Sequence, residues 1–256
     1  MRAAAALLAD LHLAGDPRDT ADLLAFFEAQ RRDGGAEAIY LLGDLFDVWL
    51  GSPKLQLGFQ EEVVRAIGRL TAEGIAVKLV EGNREFRIAR TFGRLFTAAS
   101  EDWLEEELAG LRLHLAHGDR VNTDDRLYRL WRRLSKNRLA FAFFDLLPRR
   151  AGLALALALE RRLRTTNQAM RSYFPEAHCV RYAAPLVAAG VDLVVFGHFH
   201  LERTIPVEAG GRRGHVLCLP DWKRSRRYLR IERDGRWRVV GFDPAGLEAA
   251  RPALAR

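Results

Sequence analysis

Five apolar runs in this chain stop at the same kind of short polar cluster, and that repetition constrains the fold more than any other feature. Residues 3–9 run into Asp10-Leu11-His12, and residues 36–42 into Gly43-Asp44-Leu45-Phe46-Asp47. Residues 75–80 end in Glu81-Gly82-Asn83-Arg84-Glu85, residues 111–116 in His117-Gly118-Asp119, and residues 191–196 in Gly197-His198-Phe199-His200. Short apolar runs bounded by glycine and polar residues read as strands. A polar group directly after a buried strand is held by the sheet yet sits at its mouth, where a ligand can reach it.

Helical signals fill the gaps between the first runs. Asp16 is placed as an N-cap with Pro17 at the first helical position and Asp19 in the first turn, where the helix dipole favours an anion. The helix this opens carries Leu23, Leu24, Phe26 and Phe27 inward and runs out at Asp33-Gly34-Gly35. Residues 59–72 set Val63, Val64, Ile67 and Leu70 at helical spacing, with Glu73-Gly74 as the stop. A helical stretch is expected over residues 88–96, and another over 177–189. Residues 111–116 alternate strictly, which predicts a strand with one solvated face. After His200, residues 205–207, 215–219, 228–231 and 237–240 read as short antiparallel strands that complete a second sheet.

Residues 120–175 break this rhythm. They predict two or three helices, including 126–136, a Phe-rich turn around Phe141, Phe143 and Phe144, and the Leu/Ala run 153–159. The expectation is one α/β domain over residues 1–256, a sandwich of two mixed β-sheets flanked by helices, with residues 120–175 inserted as a helical lid. At 256 residues, with 49% hydrophobic and 29% charged residues, the chain can bury such a core and is neither disordered nor membrane-spanning in type. The start, with Arg2 ahead of a small-residue run, has some signal-peptide character. Asp10 and His12 interrupt that run and favour a first buried strand instead. Cys179 and Cys218 suit a reducing compartment and have no metal-type spacing.

The net charge of +7 is concentrated in one segment. Between Arg120 and Arg164 stand twelve Lys or Arg against four Asp or Glu, so the remainder of the chain is close to neutral. In the same segment the Leu/Ala/Phe runs are bracketed by Arg132, Arg133, Lys136, Arg138, Arg149, Arg150, Arg161 and Arg162. Coincident apolar and basic excess fits an acyl-chain groove or a surface resting on anionic lipid; the plainer alternative is a packed helical hairpin with a solvated basic face. Charges at 149, 150 and 160 keep any run too short to cross a bilayer.

The strand-end clusters supply seven oxygen and nitrogen ligands: Asp10, His12, Asp44, Asn83, His117, His198 and His200. Without thiolates, such a set suits Mn²⁺, Fe²⁺, Zn²⁺ or Co²⁺. Seven ligands exceed what one ion uses when a water position stays open, and two ions sharing a carboxylate fit better. Asp44 is the expected bridge. Turn and cap chemistry explains one or two such residues but not seven in register. Asp47 is read either as a turn cap or as a group holding a ligand, and Asp119 as a partner to a ligand. His114, His178 and His215 follow no such pattern and read as packing or surface histidines. Trp222 with Lys223, Arg224, Arg226 and Arg227 has the composition of a nucleic-acid patch, although basic residues after a strand are more often solvated.

The ordered set Asp-x-His, Gly-Asp-x-x-Asp, Gly-Asn, His-Gly and Gly-His-x-His over residues 10–200 resembles the calcineurin-like metallophosphoesterases. Within them, Asp10-Leu11-His12-Leu13, Gly82-Asn83-Arg84, and His117-Gly118-Asp119 through Thr123-Asp124-Asp125 and Tyr128 resemble the UDP-2,3-diacylglucosamine diphosphatases of lipid A biosynthesis. That resemblance implies two divalent ions, Mn²⁺ by expectation. Asp10, His12, Asp44 and His200 would hold one, and Asp44, Asn83, His117 and His198 the other. It also implies Asn83 and Arg84 in catalysis, and Arg84, Asp125, Tyr128, Arg164 and Asn167 in contact with substrate. The implied partners are a UDP-linked acylated glucosamine and the inner, cytoplasmic membrane surface, with no nucleic acid. Glu85 departs from the more usual Asp after Gly-Asn-Arg, and the family's polar pattern around residues 165–170 is not kept.

Arg84 narrows the chemistry. Many relatives have His there, which can protonate a poor alkoxide leaving group, whereas arginine stays charged and binds phosphate oxygens with its fork. Arginine therefore suits cleavage of a pyrophosphate, whose leaving phosphate needs little protonation. The rival readings are a phosphodiesterase or nuclease of the same fold, favoured by the basic balance, and a scaffold that has lost its metals.

Overall fold

The computed structural model describes residues 2–32, 34–121, 146–166 and 174–244. The 3–9 run becomes β1 (Ala3–Leu8), buried at every position. Its side chains divide between two different cores. Ala3, Ala6 and Leu8 face one apolar cluster, while Ala5, Leu7 and Ala9 face another. A strand covered on both sides must be apolar throughout, which is why no polar alternation marks it.

α1 (Pro17–Arg31) starts as expected, with the Asp16 side chain accepting from Arg18 N and Pro17 leading the helix. β2 (Ala36–Leu42) pairs parallel to β1, and β4 (Ala76–Val80) pairs parallel to β2. Between them, α2 (Gly58–Ala72) buries Val63, Ile67 and Leu70. With Leu23 and Phe26 of α1, these residues pack on the outer face of the sheet. Each such buried side chain contributes about 1.5–3 kcal/mol. Within the loops lie two short strands, β3 (Trp49–Leu50) and β5 (Glu85–Phe86), which pair with each other.

β6 (Ala98–Ser100) adds a fourth parallel strand to the first sheet. β7 (Trp103–Leu108) and β8 (Leu111–Ala116) form a hairpin that starts the second sheet, and β9 (Leu193–Phe196) joins it parallel to β8. The two sheets meet through Leu7, Tyr40, Leu42, Leu113, Leu115, Val195 and Leu217. The helix Glu176–Ala188 covers the far face of the second sheet with Cys179, Ala183 and Val187. The layers are therefore helix, sheet, sheet, helix.

Four expectations change. The tail does not complete the second sheet alone. β10 (Arg203–Ala209) and β11 (Arg212–Cys218) extend that sheet, with β11 parallel to β9, but β12 (Arg227–Ile231) crosses back to pair antiparallel with β1, followed by β13 (Trp237–Gly241). The first sheet thus runs β13-β12-β1-β2-β4-β6, and β12 supplies the second neighbour that a central β1 needs. β7 was not expected: its Glu105-Glu106-Glu107 run masks the strand signal, and pairing to β8 forms it. The face of β8 bearing His114 is covered, because Tyr182 of the helix above places its hydroxyl 3.0 Å from His114 Nε2. Finally, only Ile88–Thr91 of the 88–96 stretch is α-helical, with a 3₁₀ turn at Gly93–Leu95.

The Leu/Ala run of the inserted segment lies in the helix Arg149–Thr166. This helix meets the core at the turn after β3. Arg149 Nε donates to Lys54 O, Lys54 Nζ donates to Leu147 O, and Leu153 packs on Leu50, Leu55 and Phe86. The helix expected at 126–136 and the turn at 141–144 lie outside the described residues. Among the described residues, no helix is long and apolar enough to cross a membrane.

Candidate metal centre

The strand-end loops are built from backbone that most side chains avoid. Among the described residues, eight non-glycine positions have φ in the left-handed region, and five of them are Asp10, His12, Asp44, His198 and His200. Each costs on the order of 1–2 kcal/mol. Strain of this kind persists only where the surroundings over-determine it. Pairing continues past the strand ends, with His12 N donating to Asp44 O at 2.8 Å and Asp47 N to Leu13 O at 3.1 Å. The glycines are required by contact. A Cβ on Gly43 would lie 2.5 Å from His117 Nδ1, and one on Gly82 would lie 2.3 Å from Asp44 Oδ1.

These loops bring the candidate ligands from both sheets into one cluster. Two sets of donor atoms each fall within 4.8 Å of one another: Asp10, His12 and His200, and Asp10, Asp44 and His117. Asp10 Oδ1 is 3.4 Å from His200 Nε2 and 3.8 Å from His12 Nε2. Asp44 divides its oxygens, with Oδ2 3.7 Å from His12 Nε2 and Oδ1 3.7 Å from His117 Nε2. Asn83 Oδ1 is 3.1 Å from His117 Nε2. The two close sets share Asp10 by proximity, yet Asp10 Oδ2 is already taken by His198 N at 2.7 Å. Asp44 is the carboxylate with one oxygen toward each side.

Three observations fit a bound cation. Asp10 Oδ1 is buried and has no hydrogen-bond donor. His12 Nε2 and His200 Nε2 lie 3.2 Å apart, where two imidazole lone pairs need a positive charge or a proton between them. The donors are carboxylate, amide and imidazole, a set suited to hard or borderline divalent ions.

The electrostatics point the same way. Burial opposes the charge on Asp10, but the His200 ring facing it at 3.4 Å and the neighbouring His117 and His12 hold its carboxyl well below the usual range. Burial pulls His200 down, yet Asp10 and Asp221 outweigh it and raise the ring to about 9. His117 is likewise opposed by burial and raised by Asp44 and Asp10. His198 falls to about 4 through burial and the nearby His117. The upward shifts of His117 and His200 beside buried carboxylates show that this cluster favours positive charge.

His117 turns Nδ1 to Leu42 O at 2.9 Å, leaving Nε2 for the cluster. Asp47 Oδ1 lies 3.3 Å from His12 Nδ1, which places it beside a ligand's outer nitrogen. Buried Asp119 acts electrostatically on both His117 and His198. His198 stands outside the two close sets, with its ring centroid 5.1 Å from that of His117. Arg84 is buried at the rim of the cluster, its N donating to Asp44 Oδ1 at 2.9 Å and Nη1 to Asp47 O at 3.2 Å. His114, His178 and His215 belong to neither set. Of the expected substrate contacts, Arg164 lies in the helix Arg149–Thr166, and Asp125, Tyr128 and Asn167 lie outside the described residues.

Glu85 matters more than its sequence signal suggests. Fully buried, its carboxylate accepts from Asp44 N at 2.7 Å, Leu45 N at 2.6 Å and Gly82 N at 2.8 Å, tying the second and third strand-end loops together. Burial and Asp44 push its pKa up to about 8, while those N–H groups favour the ionised form. The sequence marked Glu85 only as a departure from Asp; its three backbone partners could not be read there.

Comparison with known proteins agrees with this geometry. The sequence pattern described as calcineurin-like phosphoesterase matches residues 5–202, the span that carries all five loops. A UDP-2,3-diacylglucosamine hydrolase of Stutzerimonas stutzeri is 31% identical over 230 residues, covering 90% of this chain and 95% of that one. The protein so described from Neisseria meningitidis serogroup B is 31% identical, covering 89% and 94%. That from Pseudomonas putida is 30% identical, covering 90% and 95%.

Proposed function

We propose, for a chain that belongs to the calcineurin-like phosphoesterase family, hydrolysis of the pyrophosphate of UDP-2,3-diacylglucosamine to UMP and 2,3-diacylglucosamine 1-phosphate. The observation that carries this reading is the close cluster of Asp10, His12, Asp44, His117 and His200, with Asn83 and His198 beside His117 and a buried arginine at its rim. Relatives about 30% identical along most of their length, described as hydrolases of that compound, support the substrate.

Asp10, His12, Asp44 and His200 would hold one divalent ion, and Asp44, Asn83, His117 and His198 the other, with Mn²⁺ the proposed metal. Two such ions neutralise charge on phosphoryl oxygens and lower the pKa of water to near neutrality. The chain's residues do the rest. Asp44 fixes the spacing of the two halves through its divided oxygens. Asn83, beside His117, orients an amide toward the reacting phosphate. Arg84 is held by Asp47 O, and its planar guanidinium fork is suited to binding phosphate oxygens rather than to transferring a proton. A phosphate leaving group needs no proton donor, which matches the absence of a titrating acid at that position.

The acyl chains belong with the inserted segment. Val48, Leu50, Leu55, Leu57, Leu153 and Leu157, with the amide of Gln60 among them, line a small and mostly apolar hollow where the Asp47 loop meets the lid helix. Leu146, Leu155 and Leu157 are exposed near Arg149 and Arg150, a pairing suited to an anionic membrane surface. In this reading the chain is a single domain of residues 1–256 with its lid at 120–175, working at the cytoplasmic face of the inner membrane. Arg164, Asp125, Tyr128 and Asn167 would meet the sugar head group, and nucleic acid is not a substrate.

The test is a substrate profile with Mn²⁺ comparing UDP-2,3-diacylglucosamine, a nitrophenyl phosphodiester and single-stranded DNA. Preferred release of UMP is the expected result. Preference for DNA would overturn the substrate while leaving the metal centre intact.

A further inference from the structure

The matched family pattern ends at residue 202, but the chain returns to the metal centre some twenty residues later. Between β11 and β12, where the chain passes from one sheet to the other, Asp221-Trp222-Lys223 touches this centre at three points. Trp222 N donates to Ala9 O at 3.1 Å. Lys223 Nζ donates to His12 O at 2.8 Å. Asp221 Oδ2 lies 3.6 Å from His200 Nδ1, an ion-pair distance rather than a hydrogen bond.

The segment is well anchored. Trp222 is fully buried, its ring 5.0 Å from Phe26 and 5.6 Å from Phe242. Lys223 also faces Asp19 Oδ2 at 3.7 Å, and Arg226 binds Asp19 at 2.6 Å and Asp22 at 2.8 Å. Asp221 is buried, so its carboxylate has little water to turn to. His200 Nδ1 is buried and has no hydrogen-bond partner among the described residues, leaving Asp221 as its facing acceptor. His12 and His200 both sit in left-handed backbone, with φ of 46° and 55°. Such residues hold their side chains in place only if something holds the backbone.

We propose that Asp221 and Lys223 are positioning residues for the half of the centre formed by Asp10, His12 and His200. Asp221 fixes the orientation of the His200 ring so that Nε2 faces the cluster. Lys223 clamps the His12 carbonyl and with it the strained turn that aims the His12 ring. An outer carboxylate on a ligating histidine sets its tautomer and strengthens it as a donor. Losing one typically costs about 10- to 100-fold in metal affinity. The inference rests on the two-metal reading above. It adds that one half depends on residues beyond the matched pattern and the other does not.

The test is titration of the metal-stripped full chain with Mn²⁺ by calorimetry, with Asp221→Asn, Asp221→Glu and Lys223→Met alongside. In Asp221→Asn one of two Mn²⁺ equivalents should weaken by about 10- to 100-fold while the other keeps its affinity. Asp221→Glu should recover part of the loss, which a purely structural role would not require. Lys223→Met should weaken the same equivalent by about threefold to tenfold, below the outer-carboxylate effect. Unchanged binding of both equivalents would overturn the proposal, as would equal weakening of both with a lowered urea midpoint. If the unsubstituted chain takes up no Mn²⁺, the two-metal reading itself fails, a result distinct from normal binding in Asp221→Asn.

Discussion

On one side of the centre, His12 and His200 turn their outer ring nitrogens toward carboxylates, Asp47 Oδ1 at 3.3 Å and Asp221 Oδ2 at 3.6 Å. On the other, His117 turns its own toward a carbonyl, Leu42 O at 2.9 Å, and the loop geometry is set by Glu85 gathering backbone N–H groups. The first half is braced by side chains from distant segments. The second is braced by backbone from loops that already adjoin in the first sheet. A carboxylate makes a histidine more basic than a carbonyl does, so the first half should hold its ion more strongly and be more sensitive to remote substitution.

The largest break in this comparison comes from the residue common to both halves. Asp44→Asn should release both ions together and lower turnover by more than the roughly 100-fold that bounds the loss of an outer partner. Metal analysis after dialysis would check it, and retention of one full equivalent would restrict Asp44 to one half. Next in size is Glu85→Ala, which leaves three buried N–H groups without an acceptor. At about 1–3 kcal/mol for each such group, a loss of roughly 3 kcal/mol or more in unfolding free energy is expected, with the second ion weakened more than the first. Urea denaturation and Mn²⁺ titration read the two effects separately.

Arg84→Ala sharpens the comparison by sparing both halves. Turnover of the UDP-lipid should fall at least about tenfold with metal content unchanged, since one charge-assisted contact to phosphate is worth about 1.5–3 kcal/mol. Unaltered kinetics would remove Arg84 from the mechanism. A smaller effect is expected at the lid. A Cβ on Gly152 would lie 2.7 Å from Leu55 Cδ2, so Gly152→Val should lift the helix from the core. KM for the acylated substrate should rise several-fold, while hydrolysis of a nitrophenyl diester stays level; a matched change in both would tie the lid to the chemistry.

The smallest effect lies outside both halves. Burial lowers the pKa of His114 below 6.5 despite Glu105, so its neutral form is favoured in the fold. That contribution is fully present above pH 6.5 and is lost as pH falls below it. The urea midpoint of the unsubstituted chain should therefore drop more between pH 7.5 and 5.5 than that of His114→Asn.

The strand ends were legible in the sequence because an apolar run, a glycine and a polar residue are local signals. β2, β8 and the start of α1 follow from them, and so do Asp10, His12, Asp44, Asn83 and His117 as neighbours in space. β7 was hidden, since three consecutive glutamates form a strand only when β8 lies alongside. The return of β12 to β1 was hidden too, because either sheet would have satisfied the pattern of the tail.

By itself the sequence determined which chemical groups stand at the mouths of the strands, and so the class of metal and reaction. Residue type and alternation are properties of neighbours along the chain, and they survive without knowledge of the fold. Only the tertiary structure decided how Asp44 divides its oxygens, why Glu85 must be a long buried acceptor, and that Asp221 and Lys223 reach His200 and His12 from more than twenty and two hundred residues away. Those roles arise where two sheets and the connection between them converge, and a contact across that distance in sequence leaves no local period to read.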